Sequence, residues 1–313
     1  MTGDLLAIEV SHLTKRFDAV AAVRDLSFTV EPGVVTGFLG PNGAGKTTTM
    51  RMLTGLVSPT SGTATIGGRR YGQLKRPSST VGAVFDANAF HPGHTARDHL
   101  RVYAAMGGYP DSRVVELLDL LGLSEAAERR TRGFSTGMRQ RLNLATALLG
   151  DPRVLLLDEP SNGLDPEGMS WLRGFLRQLA DEGRTVLVSS HVLSEVEQLV
   201  DDVVVIQRGE LVAAGPWSRL AGPPSVLVSS PDAELFSATV AANPAVGTGP
   251  PRVEPVGPDR LRIYGMDAPS VADLAAAHRL RIHELITEKP SLERLFLHWT
   301  VGKAAAPEQA GAR

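Results

Sequence analysis

The stretch Val34–Leu53, VVTGFLGPNGAGKTTTMRML, decides the fold. It opens on a short apolar run, Val34–Leu39, suited to a strand, and closes on Lys46–Leu53, which reads as a helix. Between them Gly40, Pro41, Asn42, Gly43, Ala44, Gly45, Lys46 and Thr47 fit the spacing G-x-x-x-x-G-K-[ST]. Glycines there let backbone N–H groups wrap a phosphate, and the helix start adds the positive end of its dipole. Lys46 balances β- and γ-phosphate charge, Thr47 offers a hydroxyl to Mg²⁺, and Thr48 is counted with the loop among the nucleotide-binding residues. A Gly-rich turn without a ligand is the plain alternative. The strand before and the helix after are the context that the phosphate loop requires.

A second stretch, VLLLDEP at 154–160, supplies the other half of a hydrolytic site. Its apolar strand delivers Asp158 to a polar end, where a carboxylate can hold Mg²⁺ and its water shell. Glu159 follows as a general base or water-orienting group. Read alone, these are solvated acids at a strand end. Read with the cradle, they imply an enzyme that hydrolyses a nucleoside triphosphate.

The chain has 313 residues, a formal charge of −2, 42% hydrophobic residues and no cysteine. That supports a real core and excludes disulfides, thiolate metal sites and a cysteine nucleophile. The acidic balance argues against a general nucleic-acid surface. No run approaches the ~20 apolar residues of a bilayer span, and the N-terminus lacks a basic flank and cleavage site, so a soluble cytoplasmic chain is expected.

Residues 5–31 alternate as antiparallel strands, and 95–130 carry helical apolar spacing. Ser135, Thr136 and Gly137 open a helix whose amphipathic part is Gln140–Leu149. Strand Val154–Leu157, helix 168–182, strand Thr185–Ser189, helix 192–199 and strand Val203–Ile206 continue the alternation. A linker at 216–224 precedes residues 225–299, whose strand, helix, two strands, helix and strand (281–286) suggest a ferredoxin-like module. The tail 300–313 reads as disordered.

In their order, these motifs resemble the ATP-binding subunits of ABC transporters. The resemblance covers residues 8–215 and rests on LTKRF, GPNGAGKTTT, FSTGMRQRL, LLLDEPSNGLDP and VLVSSHVLSEVEQLVDDVVVIQRGELVAAG. It implies an α/β fold: a P-loop NTPase core with a RecA-like parallel sheet, an N-terminal antiparallel β subdomain and an inserted helical subdomain at about 88–140. The ATP-binding domain then spans 5–215, and the ferredoxin-like module is an accessory domain.

For the site, the resemblance implies that Phe17 stacks on adenine, Glu159 is the base and His191 is the switch histidine. Asp165 takes the D-loop position. It also implies that Ser135 and Gly137, in the signature motif, cover the γ-phosphate held in another cassette's cradle, so that a homodimer or paired cassette is the working unit. ATP and Mg²⁺ are the expected cofactors, and integral membrane permease subunits the expected partners. The location would be peripheral, on the cytoplasmic face of the membrane. Plain alternatives stay open: an N-cap for Ser135, a core or helix-start role for His191, and a core role for Phe17.

The chain departs from the pattern in places. Asp86 stands where the family usually carries a Gln that touches Mg²⁺. It reads either as a metal or coupling residue, similar to the bacitracin-exporter-like subgroup, or as a solvated loop acid. Phe134, Thr136 and Met138 replace the usual signature residues, while Ser135 and Gly137 remain. Arg139 and Arg141 read as a solvated face. The module at 225–299 resembles the extra domain of drug- and antibiotic-exporter subunits and suits dimer contact, regulation or a passive extension. A soluble ABC ATPase acting on nucleic acid or the ribosome is the competing class. A single cassette, a short cradle-to-signature interval without heptads and the acidic balance weigh against it. A P-loop GTPase would leave the signature unexplained.

Overall fold

The structure, a computed structural model, describes residues 6–85, 90–243 and 251–296. The chain divides into two compact units, one ending at Trp217 and the other running from Ser218 to His298.

In the first unit, β1 (Ile8–Phe17) and β2 (Val20–Val30) form an antiparallel hairpin. They are followed by β3 (Val35–Leu39), α1 (Lys46–Leu53) and β4 (Ser61–Ile66). Next come α2 (Pro77–Thr80), β5 (Val81–Val84), α3 (Ala96–Gly107), α4 (Asp111–Leu120) and α5 (Thr136–Ala147). The unit closes with β6 (Val154–Asp158), α6 (Pro166–Asp181), β7 (Thr185–Ser190), α7 (Leu193–Val196), β8 (Asp202–Gln207) and β9 (Glu210–Pro216).

Six strands make one sheet in the order β5-β6-β7-β3-β8-β9, parallel except for β9 at its edge. All residues of β3 and β7 are buried, which is why their apolar residues come without the alternation of a half-exposed strand and their polar ones are small. A three-stranded antiparallel sheet, β2-β1-β4, lies against α1 and the parallel sheet. Its alternate residues Ile8, Val10, Val23 and Phe28 join Phe38 and Met50 in one core, with the Phe28 and Phe38 rings 5.3 Å apart. This is the P-loop NTPase architecture expected from the sequence.

The second unit starts at Ser218, inside the single helical turn α8 (Trp217–Leu220), which lies within the stretch 216–224 read as linker. It continues with β10 (Ser225–Ser229), α9 (Ala233–Ala242), β11 (Arg252–Gly257), β12 (Arg260–Tyr264), α10 (Ala268–His278) and β13 (Glu284–Glu288). The order β11-β12-β10-β13, antiparallel throughout, is the ferredoxin-like arrangement. Val226, Val228, Leu261 and Ile263 meet Phe236 and Val271 in a core of its own.

Several boundaries differ from expectation. The helix beyond the signature opens where expected, at Thr136, with Ser135 as its cap accepting from the Met138 N–H at 3.2 Å. A helical subdomain closed at 140 would therefore cut α5. The helix expected over 192–199 contracts to the single turn α7. The strand expected from 281 starts at Glu284, because Asp232 holds both the N–H and the guanidinium of Arg281. Arg139 and Arg141 are both half-buried instead of lying on a solvated face. The tail at 300–313 and the last residues of the accessory domain, 297–299, lie outside the described residues.

Candidate active site

The carboxyl ends of β3, β6 and β7 converge, the place where open α/β sheets bind ligands. Register puts Leu39 beside Ser190 and Asp158 beside Ser189, so the residues just beyond (Gly40, Glu159 and His191) gather at one edge.

The loop from Gly40 to Gly45 turns into α1 with Gly43 at φ +80° and Gly45 at φ +105°. A Cβ on Gly45 would come within 2.5 Å of the Ala22 carbonyl, so hairpin β1–β2 leaves room only for glycine. Lys46, 6% exposed, donates from Nζ to Gly40 O at 2.7 Å and Pro41 O at 3.4 Å, and stands 3.5 Å from Glu159 Oε1. Ala44 is buried, while Pro41, Asn42 and Gly43 are exposed. A buried ammonium with one carboxylate partner at the rim of an open loop is suited to an anion.

Thr47 Oγ1 donates to Asp158 Oδ2 at 2.7 Å. These two hard oxygen donors, at the start of α1 and the end of β6, fit Mg²⁺, which takes one or two protein ligands and completes its shell with water and phosphate. Among the described residues no cluster of three or more His, Cys, Asp or Glu offers a protein-only cage.

Glu159 adopts φ +52°, a left-handed conformation that costs a residue with a Cβ roughly 1–2 kcal/mol. Two bonds hold it there. Its N–H donates to Ser189 Oγ at 3.0 Å, and its Oε2 accepts from His191 Nδ1 at 2.8 Å. Ser189 also donates to Asp158 Oδ1. His191 is 35% exposed at its side chain, so it is no core histidine. Ser189 is fully buried, and the sequence reading places it at a strand end without giving it a role in the site. Its signal is a polar pair, Ser189 and Ser190, closing an otherwise apolar strand.

Phe17 ends β1 at 48% exposure, which excludes a core role. Lys15 Nζ lies 4.8 Å from the centre of its ring. The hairpin that carries it is the one whose Ala22 abuts Gly45. Thr48 lies half-buried in the first turn of α1.

Ser135 and Gly137 are not brought to this cradle. They line an open cleft of about 660 Å³ with Leu164, Asp165 and Gly168. Asp165 caps α6 by accepting from the Gly168 N–H at 2.8 Å. One chain thus carries a cradle and, apart from it, a corner of free helix-start N–H groups. Asp86 lies outside the described residues.

Residues 23–162 match the family described as ABC transporter, and 224–293 match a domain of unknown function. The bacitracin transport ATP-binding protein of Bacillus licheniformis is 41% identical, over 68% of this chain and 71% of its own. The linearmycin resistance ATP-binding protein of Bacillus subtilis is 32% identical, over 94% of this chain and 98% of its own. Among solved structures, an ATP-binding subunit of an ABC transporter superposes with a TM-score of 0.61 at 28% identity, over 68% of this chain and 91% of its own.

Proposed function

The chain belongs to the ATP-hydrolysing, ATP-binding proteins of ABC transporters, and on that premise we propose that it powers export of an antibiotic-like or other amphipathic compound through separate membrane subunits. The names of its bacitracin and linearmycin relatives support that cargo class. Among the described residues no helix is long and apolar enough to cross a membrane, so attachment at the membrane face would come through those subunits.

The observation that carries the catalytic reading is the position of Glu159, between the Lys46 ammonium and the His191 imidazole. In our reading the N–H groups of Gly40–Thr48 take the β-phosphate, Lys46 turns to the γ-phosphate, and Phe17 takes the adenine. Lys46 then no longer neutralises Glu159, whose carboxylate is free to orient water against the γ-phosphorus, held at its other oxygen by His191. A Mg²⁺ held by Thr47 and Asp158 would supply neutralisation of phosphate charge.

Ser135 and Gly137 complete the site of a second cassette, head to tail. Capping and this trans role are compatible, because the cap uses one N–H and leaves others at the α5 start facing the cleft. Glu159→Gln should bind ATP, hydrolyse it at least a hundred-fold more slowly (on the order of 3 kcal/mol of barrier) and accumulate as a pair. Wild-type turnover in that variant rejects the role.

A further inference from the structure

The cleft beside Ser135 has a floor that this mechanism leaves unused. Arg141, on α5, holds its guanidinium carbon 4.3 Å from the centre of the Trp171 ring on α6. Its Nη1 donates to Leu121 O at 3.3 Å, at the end of α4. Gly122 backs it so closely that a Cβ there would lie 2.8 Å from Nη1. Trp171 stacks flat on Phe175, with centroids 5.3 Å apart and planes 9° from parallel, and Phe175 is buried. Among the described residues no carboxylate lies within ion-pair distance of Arg141, so a ring face and a carbonyl compensate its charge.

The two helices so joined bear different motifs. The α5 start is the signature corner, and α6 is capped at its start by Asp165 in the D-loop. Nearer the tip, the α5 start also meets the loop ahead of α6, where a Cβ on Gly137 would meet Leu164 Cδ2 at 3.7 Å and one on Gly163 would meet Thr136 Cγ2 at 3.0 Å. A single contact leaves a pivot. The second contact lies five residues further along α5, about 7.5 Å at the rise of an α-helix, and removes that freedom. Arg141 and Trp171 line the same cleft as Ser135, Gly137 and Asp165.

We propose that Arg141 and Trp171 are positioning residues that lock the signature corner to the D-loop, so that Ser135, Gly137 and Asp165 meet the opposing nucleotide as one rigid surface. This rests on the head-to-tail reading above. A planar cation over an indole is worth roughly 3-fold in an equilibrium at an exposed site and roughly 30-fold when desolvated. That factor belongs to closure of the pair and not to ATP binding in the chain's own cradle.

The test uses the full chain in the Glu159→Gln background, with ATP and Mg²⁺. Sedimentation reads the dissociation constant of the pair, and a fluorescent ATP analogue reads cradle affinity at dilution. Trp171→Leu should weaken pairing roughly 3- to 30-fold with cradle affinity unchanged. Trp171→Phe, which keeps a ring face, should restore most of it. Arg141→Lys keeps the charge but loses the planar stack, so it should also weaken pairing. Being half-buried, it decides the matter should Trp171→Leu melt below the assay temperature. Unchanged pairing in Trp171→Leu and Arg141→Lys overturns the lock while the head-to-tail reading stands. Equal losses in pairing and cradle affinity also overturn it, as general damage. A Glu159→Gln chain that stays monomeric with ATP rejects the head-to-tail reading itself.

Discussion

Ser189→Ala tests whether a hydroxyl that the sequence reading gives no role holds the catalytic acids. Ser189 is fully buried at the end of β7, beside Asp158. It accepts the Glu159 N–H at 3.0 Å and donates to Asp158 Oδ1. Alanine leaves that N–H without its partner, at about 1–3 kcal/mol, and removes a hydrogen bond to a charged acceptor, worth about 1.5–3 kcal/mol. Water reaches part of the site, so about 3 kcal/mol is the expected net loss of stability. At 2–4 °C per kcal/mol for a unit of this size, melting should fall by roughly 6–12 °C. The chemistry should suffer separately. Asp158 keeps Thr47 and cannot wander far, but the left-handed turn at Glu159 loses its tether, and sub-ångström misplacement of a base costs on the order of ten- to hundred-fold in kcat. No atom of Gly40–Lys46 bonds to Ser189, so cradle affinity for ATP should hold. Melting scans, ATPase rates and nucleotide titration on the same preparation separate these effects. A variant with wild-type melting and wild-type kcat refutes the reasoning.

Two further outcomes follow from the structure. His99, 4% exposed, bonds Thr146 Oγ1 from Nε2 at 3.1 Å, and burial pushes its pKa down to about 4. The unfolded chain protonates this group near 6.5 and the folded chain does not, so stability falls as pH drops from about 6.5 to 4, by about 3 kcal/mol in all; His99→Gln should flatten that slope in melting scans, and an unchanged slope refutes the assignment. Gly43 and Gly45 should also respond differently to alanine: at Gly43, where an added Cβ meets open space, only the left-handed backbone is strained, about 1–2 kcal/mol, whereas Gly45→Ala adds the collision with Ala22 O and should abolish ATP binding. Equal ATP affinities in the two variants would sink this account of the cradle.

The parts of this molecule legible in its sequence are those governed by local period and local chemistry. Buried strands such as Val35–Leu39 and Val154–Asp158 announce themselves as short, largely apolar runs without alternation, because both faces of the parallel sheet are covered. Lys46, Thr47, Asp158 and Glu159 are legible because phosphate chemistry demands those groups at fixed offsets from strand ends. Boundaries set by a side chain outside the period are less visible. Asp232 pins Arg281 and so delays β13, whereas the polar run Ser135–Gly137 does mark the start of α5.

Arg141 shows why the rest stays hidden. Its neighbours along α5 mark it as the wet side of an amphipathic helix, and the inference fails because another helix supplies the cover. Arginine carries an apolar stem and a flat cation that an indole face can accept. Whether it meets water or Trp171 depends on where α6 crosses α5, a quantity that no window of either helix contains. Ser189 is hidden for the same reason, since its two partners lie on a different strand. The residues that react are written in motifs; those that hold the motifs at their angles are set by packing between elements distant in the chain. Substitutions at Arg141, Trp171 and Ser189 therefore probe the mechanism more sharply than further changes within the phosphate loop.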